Sequence, residues 1–430
     1  MEEVVETNSG NYERERVPEK DRKRWLSISM VWIAIGIDLS GMFMGVALAQ
    51  GMAFWSAILA VMIGSVVLGV LAIGTAYIGA KAGLSTGMIS RVAFGKNGAS
   101  LMGAIMGISS LGWFGVQIGF FAENIGAAIR QLTGTNMPSW LLSLIGGSLM
   151  MLSAFWGYQA IEKLCTYSVP LLAALIIIAT IMSLNNNGSS GLTSPPQGAP
   201  ISFGLAVSLV IGVYMVGVVM APDVARWAQS PKQAMIAGFV GFTIGNSFMI
   251  IISLILVKVM DTADLTAVFF ALGLGIPSIL VLTLAQWTTN TNNLYSASLD
   301  FSIVFKRANP KVITVICGTL GILMAMFGIY GMFENFLSII TVLVSPIAGI
   351  YMIDYFFYRE KYDFSYEDKL KNYYPTSLFS WLVGSTIAFM TSQPPAGFGL
   401  FTLTNVSALD GILAAGICYF IITKLTKGRE

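Results

Sequence analysis

The sequence predicts an all-α integral membrane protein of twelve transmembrane helices in a five-plus-five inverted-repeat arrangement, with the first and sixth helices broken. Three observations predict it. Of 430 residues, 55% are hydrophobic and 11% charged, whereas soluble domains carry about 25% charged residues. Lysine and arginine gather on alternate connectors, as a multi-span protein requires. The first and sixth apolar runs are both interrupted by glycine in mid-span, the pointer to two repeats of opposite orientation with a site at the bilayer midplane.

Residues 1–24 are charged and polar, RERVPEKDRKR from Arg14 to Arg24. They lack a short apolar core followed by a cleavage site, so they read as a cytoplasmic tail and not as a signal peptide. Apolar runs bounded by charge or turn residues then predict spans near 25–50, 53–79, 99–129, 138–158 and 164–184, which make the first repeat, 25–184. The uncharged stretch NNNGSSGLTSPPQGAP, within 185–201, is an external loop between the repeats. Spans near 202–221, 233–258, 266–296, 311–330 and 333–356 make the second repeat, 202–356. Two more, near 376–392 and 407–424, lie in the last segment, 357–430, which ends in a cytoplasmic C-terminus. With that orientation all 24 Lys and Arg except Arg130 and Lys258 fall on inner segments, which supports an even number of crossings. The cytoplasmic (inner) membrane of a bacterium is the predicted location. The many charges of residues 354–371 read as a solvated face.

Composition also removes chemistries. The chain has no histidine, which excludes His-metal sites, triads with a histidine base and imidazole proton relays. Cys165, Cys317 and Cys418 stand alone, without the spacing of a disulfide framework or a zinc site, and read as small apolar fillers. A net charge of +2 suggests no nucleic-acid partner.

Polar groups inside apolar spans mark the candidate site. Asp38 lies in Gly36-Ile37-Asp38-Leu39-Ser40-Gly41, mid-way along span one. An intramembrane carboxylate is costly, and backbone freed from a helix at that depth must line a cavity or be buried in protein. Span six repeats the feature with Gly212-Val213-Tyr214-Met215-Val216-Gly217 in mid-span and Pro222-Asp223 at its inner end. Glycine also serves close helix packing, so each interruption alone has that second reading. Span eight carries Gln286 to Asn293, a run of hydrogen-bonding side chains that cannot all face lipid. Its hydroxyls at Thr288 and Thr289, with the Ala285 carbonyl, offer three oxygens to a hard cation such as Na⁺; back-bonding to the helix and a water-filled vestibule are the alternative. In span three Trp113 and Gln117 are four residues apart and share a face, which suits a flat ring with a polar edge. Tyr214 would close the sandwich. Glu123, about 15 Å further along at 1.5 Å per residue, reads as vestibular.

Several segments resemble the nucleobase–cation symporter family one, which includes cytosine, purine, uracil and allantoin permeases and the hydantoin transporter. They are GAKAGLSTGMISRVAFGKNG (79–98), GWFGV (112–116), PDVARW with Asp223 and Arg226, GNS (245–247), and WTTN (287–290) followed by LYSASL (294–299). The resemblance implies a ten-helix core of two inverted repeats plus two further helices. It also implies that Trp113 stacks on the substrate, that Tyr214 holds the place of the second aromatic, and that Asn290 binds substrate. The same resemblance places a sodium site at Thr288, Thr289, Ala34, Asp38 and Ala285. The sequence departs from the cytosine permeases at Ser110, where they carry glutamine, and at Ala285, where they carry asparagine. Gln117 resembles the hydantoin, allantoin and purine members instead, and the acidic Asp38 is unusual at its position. A carboxylate there strengthens Na⁺ binding or titrates and makes H⁺ the coupling ion.

The expected activity is import of a nucleobase, cytosine or a purine-type heterocycle, with Na⁺ by alternating access. The ring would lie between Trp113 and Tyr214, beside Ser110, with Gln117 and Asn290 on its edge. No other cofactor is expected, the chain is not expected to be an enzyme, and the partners are the small heterocycle and the bilayer, as a monomer or an oligomer. Allantoin or hydantoin as substrate, H⁺ coupling and a nucleobase-sensing transceptor are the alternatives. A channel would show a filter or repeated pore motif, and an enzyme a nucleophile or metal constellation; neither pattern is visible.

Overall fold

The computed structural model describes residues 12, 15–362, 369–393 and 397–426. The rest of the predicted tail, residues Asp363, Glu367 and Asp368 of the charged inner segment, and the last four residues lie outside the described residues. Among the described residues the regular elements are all helices. The first half comprises α1 (Trp25–Gly36), α2 (Leu39–Gly51), α3 (Phe54–Ala82), α4 (Thr86–Phe94), α5 (Gly98–Thr133), α6 (Ser139–Phe155) and α7 (Tyr158–Asn187). The second comprises α8 (Phe203–Val219), α9 (Pro222–Ala225), α10 (Pro231–Met260), α11 (Leu265–Ala271), α12 (Gly275–Val304), α13 (Pro310–Met326) and α14 (Phe333–Phe357), followed by α15 (Pro375–Thr391) and α16 (Ser407–Leu425).

Among the described residues six helices are long and apolar enough to cross a membrane, and α1 with α2 forms a seventh candidate, bent by 55° at its break. Helices α6, α8 and α13 are apolar and shorter. Side chains such as Leu59, Val70, Ile108, Ile177 and Ile417 are exposed along these helices, as lipid-facing residues must be. Exposed Trp55, Trp140 and Trp156 stand at helix ends, where amphipathic rings favour the membrane interface. Arg16 donates from Nη2 to the Tyr362 carbonyl at 2.7 Å. Asp354 at the end of α14 accepts from Tyr362 (2.7 Å) and from Tyr419 of α16 (2.6 Å). The segment at Arg16 and the helix α16 therefore meet at one end of the bundle.

Packing repeats between the halves. The α1/α2 unit packs on α10, and its counterpart α8 packs on α3; α7 packs on α1 and α12, and its counterpart α14 packs on α8 and α5. The two heaviest pairings, α3 with α10 and α5 with α12, join corresponding helices directly. Exchanging each helix for the one five spans later thus maps the core onto itself, which is the pattern of a duplicated five-helix unit.

The first break has a local cause. Ile37 closes α1 by donating to Ile33 and Ala34 carbonyls. Asp38 is extended (φ −138°, ψ 175°) and caps α2, its Oδ1 accepting from the Gly41 amide at 2.9 Å. That bond satisfies one of the orphan donors at the new helix start. Gly36 is required by packing: a Cβ there would lie 2.4 Å from the Gly245 carbonyl of α10.

The second break is not where the glycines predict it. Helix α8 runs uninterrupted through Gly212 and Gly217 to Val219, and the interruption falls at Met220 and Ala221, before Pro222. Glycine lowers helix propensity by about 1 kcal/mol, whereas leaving a backbone group unpaired in hydrocarbon costs several. Proline 222 has no N–H to continue the ladder, and the Val218 carbonyl instead accepts from Ala221 at 3.3 Å. The solvated-face reading of residues 354–371 also needs correction at its first member. Asp354 is fully buried and, besides its two tyrosines, accepts from Lys361 at 3.4 Å. An ionised group so placed must find donors within the fold.

Candidate functional site

A cavity of about 760 Å³, open solvent included, lies between the halves. Its wall is built from the α1–α2 break, one face of α5, the middle of α8, Asn246 of α10 and the polar stretch of α12. Of the residues expected at a substrate site, Ser110, Trp113, Gln117 and Tyr214 all line it, and so do Asp38 and Thr289. They converge because the α1–α2 break leaves Asp38 facing α5, and because residues 110, 113 and 117 share one helical face.

Trp113 is 7% exposed, and its ring meets Phe333 and Phe336 edge-on at 5.5 and 6.0 Å. These contacts fix the indole plane from α14. Tyr214 packs on Phe242 at 4.7 Å and donates its hydroxyl to the Trp32 carbonyl at 2.5 Å, which anchors the ring to α1. Ser110 donates to Met220 Sδ at 3.5 Å. Gln117 donates from Nε2 to Asp38 Oδ2 at 2.5 Å, and Ser40 donates to the same oxygen at 2.6 Å.

Asn290 is placed otherwise than expected. It is fully buried and donates from Nδ2 to the Phe114 carbonyl of α5 at 3.1 Å, outside the cavity lining. Its neighbours Asn292 and Asn293 line the cavity, as do Asn246 and Trp32. Spacing alone does not separate Asn290 from Asn293, which lie three apart on one helical face; the facing of α12 against α5 does.

The expected ion ligands gather in two pairs. Thr289 Oγ1 lies 3.2 Å from the Ala34 carbonyl and 3.2 Å from that of Ile35, at the open end of α1. Thr288 Oγ1 lies 3.0 Å from the Ala285 carbonyl. Hydroxyl and carbonyl oxygens of this kind suit a hard cation. Asp38, expected with them, has its carboxylate engaged by Ser40, Gly41 and Gln117 on the side of the substrate cavity.

Towards the end that carries the termini the core is packed closed. Arg226 is fully buried, donating to the Tyr12 carbonyl at 2.5 Å and to Tyr295 at 2.8 Å. Trp227 stacks on Tyr158 with ring centroids 4.3 Å apart, and Asp223 accepts from the Thr86 amide at the start of α4. The backbones of Lys23 and Trp227 are bonded as well.

Comparisons with known proteins agree with this fold. A family model described as "Permease for cytosine/purines, uracil, thiamine, allantoin" matches residues 16–400. The cytosine permease of Escherichia coli (strain K12) is 31% identical over 358 residues, 83% of this chain and 84% of that protein. The hydantoin permease of Microbacterium maritypicum is 25% identical over 365 residues, 78% of this chain and 73% of that one. Among solved structures, Mhp1, a nucleobase-cation-symport-1 family transporter in a closed conformation with bromovinylhydantoin bound, superposes with a TM-score of 0.82 at 20% identity. That match covers 98% of this chain and 96% of Mhp1. The protein is a multi-pass membrane transporter and not an enzyme, and the chain belongs to the family of permeases for cytosine, purines, uracil, thiamine and allantoin.

Proposed function

We propose that the protein is a secondary active symporter that imports a nucleobase or closely related planar heterocycle with Na⁺ by alternating access. The observation that carries the reading is one cavity walled by Trp113, Tyr214 and Gln117 that also reaches Thr289, whose hydroxyl touches the last carbonyls of α1. A flat ring would stack on the indole, with the tyrosine against its other side and Gln117 and the α12 amides at its edge. Na⁺ would lie among the Ala34, Ala285, Thr288 and Thr289 oxygens, where its charge holds α1 against α12 and so completes the substrate wall. The nucleobase assignment draws on the relatives, one a cytosine permease and another a hydantoin permease. With the tail and basic connectors on the cytoplasmic side, an inward Na⁺ gradient would drive net import.

The test is uptake of labelled cytosine by reconstituted vesicles under an inward Na⁺ gradient, with unlabelled purines, pyrimidines, allantoin and hydantoins as competitors. Accumulation above equilibrium that collapses when Na⁺ is equalised is the expected result. Accumulation driven by a pH gradient alone would replace Na⁺ with H⁺ as coupling ion. Binding of a competitor without uptake of any would replace transport with sensing.

A further inference from the structure

Two carboxylates are buried at the closed end that carries the termini, and neither belongs to the proposed substrate or ion site. Asp223 lies on α9, at the end of the α8 wall, and Asp300 near the end of α12; both are buried. They meet at the start of α4. Asp223 Oδ1 accepts from the Thr86 amide at 2.8 Å, and Asp300 Oδ1 lies 3.5 Å from where a Cβ on the next residue, Gly87, would stand. Asp223 is the charged neighbour that bears on Asp300. Three of their four oxygens, Asp223 Oδ2 and both of Asp300, have no hydrogen-bond partner among the described residues. The hydroxyls of Thr86 and Ser90, one turn apart on the same face of α4, are buried and without a partner there too.

The other charged and titratable groups on the surrounding elements do not bond to these three oxygens. Arg226 ends α9 but donates to the Asp223 and Tyr12 carbonyls and to the Tyr295 hydroxyl. Tyr351 of α14 donates to the Val219 carbonyl, Asp354 is held by its tyrosines, and Tyr158 of α7 stacks on Trp227. Lys311 of α13 lies over the Phe155 ring, Lys81 of α3 is exposed, and Arg91 of α4 makes no bond to Asp300. The stretch of α5 that packs here, residues 98–122, contains no such group. An ionised carboxylate buried without a donor or a cation is costly, and two beside each other are more so. One proton relieves both costs, because it neutralises a carboxyl group and gives it an O–H to donate.

The two groups also stand on opposing walls. Asp300 is on α12, where a Cβ on Gly103 of α5 would lie 3.0 Å from its carbonyl, whereas Asp223 ends the α8 wall. Opening at this end parts the walls and admits water, in which an aspartate ionises at its ordinary pKa of about 3.9. We propose that Asp223 and Asp300 form a proton-binding latch, in which the closed inner end holds one proton on Asp300 beside Asp223, taken from the cytoplasm on closing and returned to it on opening. The proton enters and leaves on one side of the membrane, so it is not a coupling ion. The closed form binds one proton more than the open form, so cytoplasmic acid holds this end shut and each unit rise in pH favours opening by up to about tenfold. The proposal rests on the alternating-access reading above and does not depend on the substrate or on Na⁺.

The experiment follows opening through Cys165, which is buried on α7 against Asn292 of the cavity wall. In a chain carrying Cys317→Ala and Cys418→Ala, its modification by a membrane-impermeant maleimide is measured from the cytoplasmic face of inverted vesicles between pH 6 and pH 8. Each rate is divided by that of a cysteine at exposed Asn97, in the same chain with Cys165→Ala, which removes the reagent's own pH dependence. With aspartate at 300 the ratio should rise about tenfold or more, where one proton allows about 100-fold. In Asp300→Asn, which copies the protonated group, it should stay low and flat. Asp300→Ser serves the same comparison where the asparagine variant is not recovered, and a flat profile with Asp300 intact overturns the proposal without either. An equal rise in the Asp300 variants overturns it as well. No modification of Cys165 at any pH, with the cysteine at 97 still modified, removes the alternating-access reading and this proposal with it.

Discussion

At the scale of single residues, Trp113 and Thr289 carry the two halves of the proposed chemistry, and each can be tested alone. Stacking a base on an aromatic side chain is worth about 1–3 kcal/mol by alanine substitution. Trp113→Ala should therefore weaken heterocycle binding by roughly 5- to 150-fold, compared at equal amounts of folded protein, because the ring is also part of a buried hydrophobic cluster that includes Phe333 and Phe336. Equilibrium binding to purified protein measures this, and unchanged affinity would remove Trp113 from the site. Thr289→Ala deletes a hydroxyl that lies against two α1 carbonyls. The Na⁺ concentration for half-maximal uptake should rise about tenfold, the scale of one lost bond to a charged group, while affinity at saturating Na⁺ is largely kept. Wild-type Na⁺ dependence in this variant would reject the proposed ion site. Much at this scale was legible in the sequence. Trp113, Gln117 and Tyr214 announced themselves as polar or aromatic groups in apolar spans, and the structure brings them to one cavity. Asn290 did not, because only the facing of α12 decides which of its consecutive amides meets α5 and which meets the cavity. Asp38 read as an ion ligand from its position, yet its oxygens are claimed by Ser40, Gly41 and Gln117, partners that no spacing rule connects.

At the scale of elements, the glycines of spans one and six looked equivalent in sequence and are not equivalent in the fold. A Cβ on Gly36 would press to 2.4 Å from the α10 backbone at Gly245, whereas a Cβ on Gly212 meets nothing within 4 Å. Gly36→Ala should thus force α1 from α10 and lower thermal stability in detergent by the 1–3 kcal/mol of an overpacked core or more. Gly212→Ala should be tolerated, or gain up to about 1 kcal/mol of helix propensity. Equal behaviour of the two variants in a thermal unfolding series would contradict this account of the breaks. Most helix positions were legible because hydrocarbon imposes length and apolarity on every span, but the expected span 266–296 is two helices, α11 and α12, the second running on to Val304. The short helices α4 and α9 were not, because nine and four residues carry too little periodicity. Their place is set by a tertiary bond, Asp223 to the Thr86 amide.

At the scale of the whole molecule, coupling depends on which helices share which ligand. Helices α5 and α12 are tied through Asn290 to the Phe114 carbonyl and through Gln286 to that of Gln117 (3.3 Å), so the stacking face and the threonine pair belong to one body. The α1–α2 unit and α8 form the opposing wall, bonded to each other where Tyr214 meets the Trp32 carbonyl. An ion that draws the Ala34 carbonyl towards Thr288 and Thr289 therefore also fixes Asp38, one step past the same break, against Gln117. Heterocycle and Na⁺ should each tighten the other's binding, and by the same factor, since linkage makes binding free energies reciprocal. Titrating purified protein with each ligand at zero and saturating levels of the other gives both factors. A factor of one in both directions would mean that the two sites do not communicate through the α1–α2 break. Coupling lost in Asp38→Asn, with both ligands still bound, would place the communication in that carboxylate.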